Sequence, residues 1–83
     1  PATFGGDFNA RPNSPVTMVI EEADFVDPFV ILNITPAPAT SPAIDPKGRI
    51  DFVWLRDLTP LRAWVSDSLA SDHRMVVVEV VFP

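Results

Sequence analysis

The chain has 83 residues, 47% of them apolar, so it forms one small domain or part of a larger one and is too apolar to be disordered by composition. It contains no cysteine, which excludes disulfides and a thiolate zinc site but leaves the redox compartment open. A net charge of −5 gives no basic footprint for a nucleic-acid backbone, yet permits phosphate held through a divalent cation.

Thr3 to Phe8 reads as a short strand running into a polar turn, Asn9 to Asn13. Ser14 is a good N-cap and Pro15 a good first helical residue. The spacing of Val16, Val19, Ile20 and Ala23 then predicts one apolar helical face. Asp24 to Ile34 is apolar but interrupted by Pro28, and reads as a short strand or an irregular buried segment. Residues 35–48 carry Pro36, Pro38, Pro42 and Pro46; they read as an irregular loop, taken here as a passive connector. Arg49 to Leu55 is the clearest strand, apolar on both faces apart from Asp51, as in the middle of a layered structure. Leu61 to Ser66, opened by Pro60, and Met75 to Phe82, with Glu79 as its one charge, complete the strands. Trp54 and Trp64 read as core. With no repeat and no regular βαβ alternation, the pattern predicts a mixed α/β layered sheet. No apolar run of 18 residues is present, so no membrane span is expected.

Polar signals stand at three places at the ends of apolar strands: Asp7 with Asn9, Asp51, and Asp72 with His73. Each has an ordinary structural reading. Asp7 and Asn9 suit an Asx-turn, Asp51 suits a partner for Arg49 or Lys47, and Ser71-Asp72-His73 suits a polar turn. Arg74 reads as a solvated surface arginine. Together they read differently. A carboxylate inside an apolar strand needs a partner, and His73 is the one imidazole on offer. A carboxylate that fixes an imidazole sets its tautomer for proton transfer. Asp7, Asn9 and Asp72 add the hard oxygen ligands and hydrogen-bonding groups that suit Mg²⁺ and phosphate.

G-G-D-F-N-A, then R-I-D-F-V, then S-D-H-R before a valine-rich strand, in this order, resembles the endonuclease/exonuclease/phosphatase family. That family includes pancreatic-type deoxyribonucleases, AP endonucleases, sphingomyelinases and inositol polyphosphate 5-phosphatases. The resemblance implies an α/β fold: the C-terminal part of a two-sheet β-sandwich flanked by helices, the deoxyribonuclease-like four-layer fold. It implies that Asp7 orients or deprotonates the attacking water and that Asn9 binds the scissile phosphate. Asp51 would orient His73, which would contact phosphate and transfer a proton. Asp72, with Asp7, would help hold Mg²⁺ (or Mn²⁺ or Ca²⁺). The expected function is metal-dependent hydrolysis of a phosphodiester or phosphomonoester; the alternative is a non-catalytic binding or structural subunit that keeps the fold.

The resemblance aligns to the C-terminal part of the family domain, whose N-terminal half supplies a metal-binding Asn and Glu and commonly a second His. The chain is therefore expected to be one fragment of a cleaved or split enzyme, residues 1–83 pairing with an N-terminal half on another chain. The AP endonuclease branch usually reads G-D-L-N, whereas this chain has Phe8 and a Pro/Ala/Ser loop, so that branch is disfavoured. The acidic charge favours small or lipid phosphoesters over duplex nucleic acid as substrate.

Overall fold

The computed structural model describes residues 1–68 and 71–82. In chain order its elements are β1 (Ala2–Asp7), α1 (Pro15–Glu22), α2 (Pro28–Ile31), β2 (Asp51–Arg56), β3 (Thr59–Val65) and β4 (Val76–Val81). Two antiparallel two-stranded sheets form, β1 with β2 and β3 with β4. The architecture is mixed α/β, and the four expected strands are present with ends shifted by one or two residues. No helix among the described residues is long and apolar enough to cross a membrane.

Ser14 and Pro15 start α1 as the sequence predicts. The Ser14 side chain accepts from the Thr17 amide and the Thr17 hydroxyl oxygen accepts from the Ser14 amide, a reciprocal cap. This cap alters which face turns inward. Thr17 is the buried residue of α1, while Val16 and Val19 stay exposed, so the expected apolar stripe is not the packed face.

The segment 24–34 corrects its sequence reading. It holds a helical turn, α2, rather than a strand, and Pro28 opens it instead of interrupting it. The Asp27 side chain accepts from the Phe29 amide, and Pro28 at the first helical position gives up an N–H that would have had no partner anyway.

The core forms where α2 meets β2. Phe29, Phe52, Trp54 and Leu55 are each about 1% exposed. The Phe52 and Trp54 rings stack at 5.2 Å, and Phe8 meets both edge-on. Arg49, just ahead of β2, lies between the Phe29 and Phe52 rings, its Cζ 4.8 and 4.7 Å from their centroids. Its guanidinium donates to Asp27, so the residue that caps α2 also neutralises the buried cation. Arg49 is thus partnered by Asp27, and Asp51 is left for other work.

Residues 35–48 are not the passive connector the prolines suggest. Thr40 and Ala43 are buried, and Ser41 bridges Gly48 to close the loop on itself. Prolines prevent regular structure, but they do not prevent tertiary packing.

Candidate active site

Asp7 ends β1 and Asp51 begins β2, and they are register partners in the antiparallel ladder. Two carboxylates directly opposite each other repel, so a sheet tolerates the pairing only with something cationic beside it. His73, in the turn before β4, meets that need. Its Nδ1 lies 2.8 and 3.0 Å from the two oxygens of Asp51, and 3.9 Å from Oδ2 of Asp7. The Asp51 side chain is 14% exposed and that of Asp7 50%, so Asp51 is the sequestered partner and Asp7 the accessible one.

The hydrogen bond to Asp51 raises the His73 pKa above the ordinary 6.5. The charges of Asp51, Asp7 and Asp72 add to it, and partial desolvation opposes it. A carboxylate at Nδ1 also fixes the tautomer: that nitrogen carries the donated proton, which frees Nε2 for a substrate.

The glycines explain how β1 comes so close. A Cβ on Gly5 would sit 2.9 Å from the Phe52 carbonyl oxygen, so only glycine allows this strand approach. Gly6 has φ of +145°, a conformation glycine alone adopts readily. The pair bares the backbone beside a cleft of about 390 Å³ lined also by Asp51, Ser71, His73 and Arg74.

The Asx-turn reading of the first motif holds alongside the site: the Asn9 amide donates to Oδ1 of Asp7 at 2.7 Å, and Asn9 takes a positive φ of 47°. That bond fixes one oxygen of Asp7 and leaves Oδ2 toward His73. Asp7, Asp51 and His73 offer ligand atoms within 4.8 Å of one another. Asp72 is not a member of this group. It is exposed, its charge acts on His73, and its backbone carbonyl accepts from Ala43. This donor set fits a hard cation only in part. His73 Nδ1 and Asp51 occupy each other, so of the two carboxylates in the group Asp7 is the one without a hydrogen bond to the imidazole.

Arg74, read from sequence as solvated, is half-buried, and its Nε donates to the Ala43 carbonyl at 2.8 Å. The sequence also gives no sign of Thr40, whose hydroxyl accepts from the amides of Ile50 and Asp51 at 3.2 Å each. A threonine among prolines and alanines looks like filler until its burial is known.

The model of the endonuclease/exonuclease/phosphatase family matches residues 4–73, a span that opens in β1 and closes on His73. No curated protein and no solved structure matches the chain.

Proposed function

Because the chain belongs to the endonuclease/exonuclease/phosphatase family, which includes metal-dependent nucleases and phosphatases, we propose that it hydrolyses a phosphoester with activated water. The observation that carries this reading is the convergence of Asp7, Asp51 and His73, whose ligand atoms lie within 4.8 Å of one another, with Asp51 and His73 lining one cleft. A like-charged pair held against an imidazole is a poor stabilising device and a good catalytic one.

In this reading Asp51 holds the His73 ring and keeps the proton on Nδ1. Nε2 then meets the phosphate and passes a proton during the displacement; such transfer is typically worth about 10²–10⁴-fold. Asp7 orients or deprotonates the attacking water, and its bond from the Asn9 amide keeps it aimed. Asn9 hydrogen-bonds the scissile phosphate. Asp7 would hold Mg²⁺ directly and Asp72, outside the cluster, through water; the ion when bound neutralises charge on the phosphoryl oxygens. Small or lipid phosphoesters suit the acidic chain better than duplex nucleic acid.

A four-layer domain would need further polypeptide to complete it. Two-stranded sheets are marginal alone, and here Leu61, Met75, Val81 and Phe82 remain exposed. That polypeptide would carry the remaining metal ligands.

Hydrolysis of bis(p-nitrophenyl) phosphate by the complete assembly, with Mg²⁺ and then with EDTA, tests the proposal. Activity that requires the metal and falls in His73→Ala supports it. No activity favours the non-catalytic binding subunit instead, and activity indifferent to His73 overturns the role given to this chain's site.

A further inference from the structure

We infer that Thr40 is the positioning residue that holds Asp51 and His73 in register, and that the proline-rich loop exists to deliver it. The inference rests on the catalytic reading of that pair. Thr40 is fully buried although its neighbours in sequence are mostly small or proline. Its hydroxyl oxygen accepts from the amides of Ile50 and Asp51, so it grips the backbone that carries the carboxylate. Its own carbonyl accepts from the Arg74 amide at 2.7 Å, so it also grips the residue after the imidazole. Its own amide donates to the Gly48 carbonyl at 2.9 Å and anchors the loop.

One side chain and one peptide unit thus tie together the two segments that bring Asp51 and His73 within 2.8 Å. Ala43 strengthens the grip: its amide donates to the Asp72 carbonyl at 2.6 Å, and its carbonyl accepts from Arg74 Nε. Both chain neighbours of His73 are therefore held by the loop. His73 itself lies in a short turn with no ladder of its own, where its amide donates to the Ser71 hydroxyl at 3.3 Å, a local bond that sets the turn and not the distance to Asp51. Productive geometry needs tolerances of about 0.5 Å, which comes from supporting groups of this kind. A hydroxyl is required because it presents two acceptor lone pairs to two converging N–H groups. Valine has the same shape and none of that capacity.

The test compares wild type, Thr40→Val and Thr40→Ser in the complete protein. Amide hydrogen exchange in the wild type comes first and needs no variant: Ile50, Asp51 and Arg74 should exchange as slowly as amides within β2. Free exchange at all three overturns the inference, whether or not the protein is a phosphoesterase. In Thr40→Val, protection at Ile50 and Asp51 should be lost, the downfield Nδ1–H proton signal of His73 should broaden, and kcat should fall about 10–100-fold with KM little changed. Thr40→Ser should recover the signal and most of kcat. An unaltered His73 signal and kcat in Thr40→Val overturn it. If Thr40→Val does not fold, wild-type protection with a Thr40→Ser protein of near-normal kcat supports the role, and a Thr40→Ser protein that is folded but as slow as a His73→Ala protein overturns it. A wild type without activity but with the three amides protected removes the catalytic reading and leaves the brace standing.

Discussion

Asp7 and Asp51 face each other across the β1–β2 ladder, yet only Asp51 reaches the imidazole at hydrogen-bonding distance, 2.8 Å against 3.9 Å for Asp7. The two carboxylates are therefore not interchangeable. Asp51→Asn should keep the shape of the site and remove the charge that fixes the tautomer, costing about 10²–10⁴-fold in kcat. Asp7→Asn should also impair hydrolysis but shift the His73 ring signal less than Asp51→Asn does, since Asp7 acts on the ring through its charge alone. Proton NMR of His73 in both variants checks the split; equal perturbation by the two would contradict it.

The raised His73 pKa makes a signed statement about stability. A group whose native pKa lies above its unfolded value of about 6.5 stabilises the fold most fully below that value, and loses the contribution as pH rises through the native pKa. The urea midpoint of wild type relative to His73→Gln should therefore be highest in mildly acidic solution, where the imidazole is charged in both states, and should fall across the window above about 6.5. Asp51→Asn should flatten that profile. A difference that grows as pH rises would have the wrong sign.

The buried pair Arg49–Asp27 is a separate matter of stability. Asp27→Ala strands the guanidinium between two phenyl rings and uncaps α2, and should cost about 3–5 kcal/mol. Replacing both partners, as Asp27→Ala with Arg49→Met, should cost less than the single change, because no charge is left alone. A double-mutant cycle by chemical denaturation measures this, and strict additivity would show that the two residues do not depend on each other.

The same substitution should behave differently at two glycines. Gly5→Ala places a methyl 2.9 Å from the Phe52 carbonyl, a backbone atom that cannot move without parting the strands. About 1–3 kcal/mol should be lost. Gly48→Ala meets the far end of the Arg11 side chain at 3.2 Å, which can swing away, so its cost should be small. Melting curves of the two variants decide it; a Gly48→Ala loss equal to that of Gly5→Ala would mean that Arg11 is held in place.

Much of this was readable in the sequence, and the failures have physical causes. The strands showed because runs such as D-F-V-W-L and V-V-V-E-V-V are short, β-branched or aromatic and apolar nearly throughout, the pattern of buried strands. Helix α2 is hidden because a proline within an apolar segment ordinarily signals a break. Asp27-Pro28 nevertheless carries the same cap-then-proline signal that marks the start of α1 at Ser14-Pro15. The packed face of α1 was misjudged because the cap draws Thr17 inward against the apolar spacing. The pairing of Asp51 with His73 could be anticipated because a carboxylate in an otherwise apolar strand needs a partner and the chain has one histidine. Thr40 could not, since its importance lies entirely in contacts made across 11 and 34 positions of sequence.

Strand β2 has one further consequence. From Asp51 to Trp54 exposure alternates along it: Asp51 and Val53 are partly exposed and line the cleft, while Phe52, which borders the cleft as well, and Trp54 are about 1% exposed among the rings. Function and solubility are thus written on one ribbon in opposite phase. A library covering these positions, sorted once for protein abundance and once for turnover, should give two periodic profiles a single residue out of step. The rhythm should end at Leu55, where the bridge to Val26 brings the odd-numbered face under cover as well.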